Sequence, residues 1–170
     1  MFESLETRSL FSVAIDDGVV TVVGTRNNDT IVVGRLNDQV LISVNGNEQG
    51  NFDPSDVTKI VARGLAGHDS IASWGGSRIP TELIGGKGID VLSGGNGRDI
   101  LRGGPGTDGL IGHGGRDRLF GGGGSDNLQG GSGHDILRGE DGADVLVDDD
   151  VDDLIGGPGR DQVIPIGSIS

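Results

Sequence analysis

Apolar and polar positions recur with a period of nine over the second half of the chain, from Gly85 to Ile164. Each unit follows the pattern Gly-Gly-x-Gly-x-Asp-x-Leu-x, and seven nonamers are followed by one octamer and one further nonamer, 80 residues in all. A long array with a short fixed period is typical of a solenoid, in which each repeat stacks on its neighbours. The apolar eighth place therefore predicts the core, which consists of Leu92, Leu101, Leu110, Leu119, Leu128, Leu137, Leu146, Leu154 and Val163.

The order of residues within one unit predicts a turn followed by a short strand. Glycine at the first, second and fourth places allows a tight turn, because the backbone can adopt positive φ there. Places seven to nine form the strand, whose middle side chain points inward while its neighbours point outward. If two units make one turn of the ribbon, units n and n+2 stack about 4.8 Å apart on one edge. The predicted fold class is therefore an all-β parallel solenoid.

The first half of the chain predicts an irregular β region that caps this solenoid. Degenerate units begin at Gly24 and Gly64, while residues 45–56 are polar and predict a loop. Runs of β-branched and apolar residues predict four strands, the second and third of which form a hairpin: Val19–Val23, Thr30–Val33, Val40–Val44 and Lys59–Ala62. We therefore divide the chain into a loosely structured lead-in over 1–17, the capping region over 18–84, the repeat block over 85–164 and a tail over 165–170.

Composition and charge favour a narrow core and a cationic ligand. Apolar residues make up 33% of the chain and 35 residues are glycine, whereas globular proteins average about 45–50% apolar residues and about 7% glycine. The net charge of −13 disfavours nucleic acid and anionic membranes as partners. Disulfides and thiolate metal sites are excluded because the chain contains no cysteine. No membrane span or clear export leader is recognised, so the export route is left open.

An aspartate at the sixth place of each unit predicts columns of carboxylates along the stacked turns. Glycine-rich turns also expose their carbonyl groups, so the donor set consists of hard oxygens on a flexible loop, which suits Ca²⁺. Mg²⁺ fits less well because it requires strict octahedral geometry, and zinc fits poorly without cysteine. Without a cation the carboxylates repel one another, so metal binding and folding are expected to be coupled.

The repeat block resembles the RTX (repeats-in-toxin, haemolysin-type) calcium-binding nonapeptide family. The resemblance implies a right-handed parallel β-roll with Ca²⁺ between stacked loops, in a bacterial protein that is secreted and folds on meeting external calcium. It implies Ca²⁺ as the cofactor, with at most about seven ions in the regular block and dissociation constants of about 10⁻⁴–10⁻³ M.

The resemblance also implies the ligands. The implied carboxylate ligands are Asp90, Asp99, Asp108, Asp117, Asp126, Asp135, Asp144 and Asp161. The implied carbonyl ligands are Gly86, Gly88, Gly95, Gly97, Gly104, Gly106, Gly115, Gly122, Gly124, Gly131, Gly133 and Gly142. Whether Asp29, Asp69 and Asp152 bind metal is left open, and the octamer that contains Asp152 is the unit that departs most from the pattern.

A cationic stripe is predicted on one sheet, where Arg102, Arg118 and Arg138 should point outward. This stripe would dock an acidic polysaccharide or protein, or would serve only to relieve the charge of the aspartate columns.

The function predicted is that of an extracellular calcium-binding structural or interaction module, not an enzyme. The histidines are scattered, and the G-x-G-x-x-G match at 104–109 lacks the strand–helix context of a nucleotide site. The alternative is an accessory fragment of a β-helix polysaccharide-active enzyme or of an adhesin.

Overall fold

The structure, a computed structural model, describes residues 11–36, 38–74, 76–148 and 152–166. These residues form a β-solenoid of about six turns with two sheets, and one turn of 3-10 helix at Pro54–Asp56. The first sheet contains, in spatial order, β1 (Ser12–Asp16), β2 (Val19–Val23), β6 (Lys59–Ala66), β8 (Thr81–Lys87), β10 (Ile100–Pro105), β12 (Arg118–Gly124), β14 (Ile136–Gly142) and β16 (Asp153–Ile155). The second contains β17 (Gln162–Pro165), β15 (Val145–Asp148), β13 (Asn127–Gly133), β11 (Gly109–Gly115), β9 (Val91–Ser93), β7 (Ser70–Trp74), β3 (Thr30–Leu36), β4 (Gln39–Val44) and β5 (Asn47–Phe52).

The strands of the repeat block pair in parallel with the unit two places along the chain, as the period predicts. Leu101 lies opposite Leu119 in the first sheet, and Leu110 lies opposite Leu128 in the second. Most strands of the block extend past the ninth place into the following glycines, so they are longer than the three residues that the pattern predicts. The all-β parallel solenoid predicted from the sequence is confirmed.

The predicted core is confirmed except at its end. The seven leucines from Leu92 to Leu146 are fully buried, and Leu154 is partly buried against the same cluster. The prediction is wrong for Val163, whose side chain is 53% exposed. The reason is its place in β17, the terminal strand of the second sheet, on which no further rung of the described chain is stacked.

The first half of the chain continues both sheets and the same core. The four predicted strands are present, and β3 pairs antiparallel with β4 as the predicted hairpin. Ile31 of β3 lies opposite Ile71 of β7, which in turn lies opposite Leu92 of β9. Since all three side chains are fully buried, the degenerate units belong to the solenoid.

Two strands that precede the repeat block were not predicted. Ser12–Asp16 forms β1, so the expectation of a loose lead-in is wrong there, and Asn47–Phe52 forms β5 where a loop was predicted. A two-residue turn joins each strand to its antiparallel partner: Asp17-Gly18 joins β1 to β2, and Asn45-Gly46 joins β4 to β5. Each of these four residues has positive φ. Such turns match the twist of the adjoining strands. The remainder of the lead-in, residues 1–10, and tail residues 167–170 lie outside the described residues.

Candidate metal centre

The sixth-place aspartates form two columns, one at each edge of the solenoid. In each column the backbone N–H of one aspartate donates to Oδ1 of the next, over 2.7–3.1 Å. The long column leads into the strands of the second sheet and contains Asp29, Asp69, Asp90, Asp108, Asp126, Asp144 and Asp161. The short column leads into the first sheet and contains Asp99, Asp117, Asp135 and Asp152.

The second carboxylate oxygen of most column members has no hydrogen-bond donor. Seven of these aspartates are no more than 3% exposed, which places a charged group where water does not reach it. An ionised carboxylate buried without a partner is costly. The partnerless oxygens within the described chain are Oδ2 of Asp69, Asp90, Asp108, Asp117, Asp126, Asp135, Asp144 and Asp152.

Burial raises the pKa of the column carboxyl groups, because it disfavours the ionised form. It raises the pKa of Asp117 to about 7, with further contributions from the charges of Asp99, Asp135 and Asp152. It likewise raises the pKa to about 6 for Asp69, Asp108 and Asp126. The hydrogen bond that each Oδ1 accepts from a backbone N–H lowers the pKa and so opposes this rise. Burial also raises the pKa of Asp90, Asp99, Asp135 and Asp144.

Backbone carbonyl groups form columns beside the carboxylates. A side chain at Gly106, at a fourth place, would overlap the carbonyl oxygen of Gly88 one turn earlier, so the two turns stack through backbone alone. The same relation links each later fourth-place glycine of the long column to its predecessor, and joins Gly97, Gly115 and Gly133 at the other edge. Carbonyl oxygens therefore line both edges beside the carboxylate columns, and a Cβ at Gly106 would also lie 3.2 Å from Oδ1 of Asp108.

Two second-place substitutions leave this arrangement intact. His113 and Glu140 stand where the repeat has glycine, and both adopt positive φ, 76° and 71°. The carbonyl oxygen of His113 lies against Gly131, and that of Glu140 against Gly157, as glycine carbonyls do at equivalent places. The departures from the repeat at these positions therefore change the side chain and not the turn.

The ends of the columns differ from their interiors. Both carboxylate oxygens of Asp99 are occupied: Oδ1 accepts from the N–H and hydroxyl of Thr81, and Oδ2 accepts from the N–H of Gly95 at 2.7 Å. Asp29 is satisfied in a similar way, since its Oδ2 accepts from the N–H and hydroxyl of Thr25 and its Oδ1 from Asn45 Nδ2. These two residues close their columns with hydrogen bonds. Asp99 therefore differs from the other inferred carboxylate ligands of the short column, because hydrogen-bond donors contact both of its oxygens.

Asp69 lies inside the long column and Asp152 is the last described member of the short column, although sequence reasoning left the ligand role of both open. Asp69 accepts from the N–H of Asp29 and donates its own N–H to Asp90, while Asp152 accepts from the N–H of Asp135. The signal for Asp69 was present in the degenerate unit beginning at Gly64. The signal for Asp152 is its place two residues before Leu154 in the octamer, which matches the spacing of the other units although the octamer lacks the glycines of the pattern.

The donor set fits a hard cation bound largely by the backbone. Within the described residues, no three or more His, Asp or Glu side chains are grouped so that they alone could hold a metal ion. The ligands available are carboxylate Oδ2 atoms and the carbonyl columns, and Ca²⁺ accepts both kinds of oxygen at variable geometry. The structure therefore favours Ca²⁺ over a metal that needs nitrogen or sulfur.

Two of the three histidines have hydrogen-bond partners other than the column aspartates. His113 Nε2 lies 2.8 Å from the Ser93 hydroxyl, and His68 Nδ1 accepts from the N–H of Ile89.

No helix in the described part of the chain is long and apolar enough to cross a membrane.

Comparison with known families identifies the repeats. The family model described as the RTX calcium-binding nonapeptide repeat, with 4 copies, matches residues 82–110 and 111–146. Searches of curated proteins and of solved structures gave no match. The matched stretches contain most of the orphaned carboxylates and stacked carbonyls described above. Residues 82–146 of this chain therefore match the RTX calcium-binding nonapeptide repeat.

Proposed function

We propose that the solenoid is a calcium-binding structural module of an extracellular protein, and that its turns become ordered as the cation binds. The observation that carries this proposal is the row of buried Oδ2 atoms without donors, beside carbonyl columns at both edges. The RTX repeat is a structural calcium-binding unit, which supports a structural role over a catalytic one.

The ligands that we propose differ slightly from those inferred from the resemblance. The carboxylate oxygens are assigned to the eight aspartates with partnerless Oδ2, and to Asp161 at the end of the long column. The carbonyl ligands are assigned to second and fourth places of the turns. Asp99 is assigned to closing the short column, because Thr81 and Gly95 already occupy its oxygens.

The number of ions follows from the gaps between successive column members. Within the regular block there are four gaps in the long column, from Asp90 to Asp161, and three in the short column, from Asp99 to Asp152. Because Asp99 is assigned to closing the short column, six of these seven gaps lie between two proposed carboxylate ligands, which is within the limit of about seven ions that the resemblance implies. The gap between Asp69 and Asp90 adds one further candidate outside that block.

Coupling between folding and calcium is proposed from the charge of the columns. Bound Ca²⁺ would supply positive charge between the buried carboxylates and replace the hydration that they lose. A ligand that binds only the folded state stabilises that state in proportion to its concentration above Kd. RTX repeat proteins are generally secreted, and sites with Kd of about 10⁻⁴–10⁻³ M would fill outside a cell and not inside it.

The test is a calcium titration followed by far-UV circular dichroism and calorimetry, with Mg²⁺ as the control cation. We expect β-structure to increase over a narrow calcium range, with more than one ion bound per chain, and Mg²⁺ to be a poor substitute. Full secondary structure in chelator, together with no heat of calcium binding, would overturn the proposal.

A second proposal concerns a partner at the arginine stripe. Arg102 and Arg138 lie on either side of Phe120 in one ladder of the first sheet. The Arg102 guanidinium lies 4.4 Å from the centroid of the Phe120 ring, and that of Arg118 lies 5.7 Å from it. Guanidinium groups held over a ring keep their donors free for an acidic ligand. We propose an acidic polysaccharide or protein as the class of partner.

A further inference from the structure

The outer face of the first sheet is strongly cationic, although the chain as a whole is acidic. Seven of the chain's thirteen lysines and arginines lie on it or at its edge. They lie in or just before β6, β10, β12 and β14, and neighbouring strands of the sheet are about 4.8 Å apart, while β8, between β6 and β10, contributes none of them. They are Lys59, Arg63, Arg98, Arg102, Arg116, Arg118 and Arg138.

A surface cavity of about 300 Å³ lies at one edge of this face. Its cationic lining consists of Lys59, Arg98, Arg116 and Arg118, and its apolar lining includes Pro80 and Ile100. Ile100 pairs directly with Arg118, so Arg98 and Arg116, each two residues earlier, lie one rung apart. The cavity thus combines a row of guanidinium groups with an apolar floor.

The arginines of the cavity are not neutralised by ion pairs. Across the described residues, no carboxylate oxygen lies within 4.0 Å of the guanidinium nitrogens of Arg98, Arg116 or Arg118. Lys59 is paired with Glu82 at 2.7 Å, and Asp99 also lines the cavity. Even when Glu82 and Asp99 are counted as ionised, the four cations leave a net charge of +2.

We infer that this cavity and the adjoining rungs bind an acidic polysaccharide with a carboxylate on each sugar, a polyuronate. An arginine fork binds a carboxylate through two parallel hydrogen bonds, and a rigid row of forks matches a polymer whose charge also recurs at a fixed spacing. The apolar floor and the Phe120 ring offer surface to the C–H faces of sugar rings. The inference deepens the proposed function, because the face exists only where the rungs are stacked.

The test is isothermal calorimetry in calcium with a galacturonate hexamer, which is too short to gel. The methyl-esterified hexamer, which lacks the charges, is the ligand control, and hexaglutamate represents an acidic protein. The face variant is Arg98→Gln/Arg116→Gln/Arg118→Gln. The matched control, Arg26→Gln/Lys87→Gln/Arg160→Gln, removes the same charge from exposed positions beside the long column.

We expect wild type and the control variant to bind the hexamer, the ester to bind poorly, and the face variant to lose about tenfold or more in affinity. A charge-preserving variant, Arg98→Lys/Arg116→Lys/Arg118→Lys, should lose part of the affinity because lysine cannot form the fork. Circular dichroism in calcium identifies any variant that fails to fold. If the glutamine face variant does not fold, the hexamer affinity of the lysine variant tests the inference instead.

Equal binding by the face and control variants, or no binding by folded wild type, would overturn the inference. Binding of hexaglutamate as tight as that of the hexamer would replace the polysaccharide with an acidic protein. A folded, hexamer-binding protein in chelator would instead refute calcium-coupled folding and leave the arginine site standing. The two failures are therefore distinguishable.

Discussion

Replacing Asp117 with asparagine should have opposite effects on the calcium-free and calcium-loaded protein. Asp117 is 1% exposed, and its Oδ1 accepts the N–H of Asp99 at 2.8 Å while Oδ2 has no donor. Asparagine keeps the shape and the Oδ1 acceptor but removes the charge. Alanine would be less informative, because it would leave the buried N–H of Asp99 without an acceptor.

The size of the effect follows from the pKa of this carboxyl group, which burial raises from 3.8 to about 7. Each tenfold change in the ionisation equilibrium is worth about 1.4 kcal/mol. Keeping the Asp117 carboxylate ionised in the calcium-free fold above pH 8 therefore costs about 4 kcal/mol. Asp117→Asn removes this cost, so the calcium-free fold should gain up to about that amount. It also removes a ligand, so the further stability gained on adding calcium should shrink.

The assay is urea unfolding at pH 8 with chelator and again with saturating calcium, with calorimetry to count bound ions. Asp141→Asn is the matched control, since it makes the same charge change at an exposed position outside both columns. We expect it to resemble wild type in both conditions. If Asp117→Asn instead weakens the calcium-free fold and leaves both the calcium gain and the ion count unchanged, Asp117 is a structural acceptor and not a ligand.

Three further predictions concern pH, the turns and the core. Because the folded pKa values of about 6 to about 7 exceed the ordinary value of 3.8, the chelator-treated fold holds more protons than the unfolded chain. Its free energy of unfolding should therefore fall as pH rises from about 4 to about 8. Apparent calcium affinity should weaken below pH 7, and titrations at several pH values check both trends. Gly106→Ala should lower the free energy of unfolding by about 3 kcal/mol, because the added methyl group would overlap the Gly88 carbonyl. Gly123→Ala is the control, because a Cβ there meets open space, and it should change stability by less than about 0.5 kcal/mol. Equal urea midpoints for the two variants would contradict the stacking argument. Leu128→Ala should cost about 2–5 kcal/mol and Val163→Ala less than about 1 kcal/mol by the same measurement, because only Leu128 is fully buried.

The repeat period predicts the register of the solenoid because a short fixed period leaves few ways to stack. Once two units make a turn, the eighth-place leucines must lie over one another, and the sixth-place aspartates must form columns at the edges. Two units per turn explain both why Leu110 lies opposite Leu128 and why the N–H of Asp90 donates to Asp108. Core and candidate site were therefore predictable together.

The parts that escaped prediction depend on local turns or on chain ends. The pairing of β1 and β5 is determined by the turns Asp17-Gly18 and Asn45-Gly46, which are hairpin signals that lie outside the nine-residue period. The closing of the columns depends on Thr25 and Thr81, whose hydroxyl groups meet an aspartate 4 and 18 residues away. A contact of that kind has no signature in the repeat.

The fourth-place glycines explain why fold and candidate site cannot be separated in this chain. The same absence of a side chain lets one turn rest on the carbonyl of the previous turn and keeps that carbonyl beside the carboxylate column. A residue that blocked the stacking would therefore also displace an oxygen ligand, and loss of the cation would leave the buried carboxylates to oppose the stacking. Stability and calcium binding should consequently change together for substitutions at the fourth-place glycines. At the cationic outer face, where neither carboxylates nor turn carbonyls are used, a substitution can alter ligand binding while the calcium dependence of the fold stays the same.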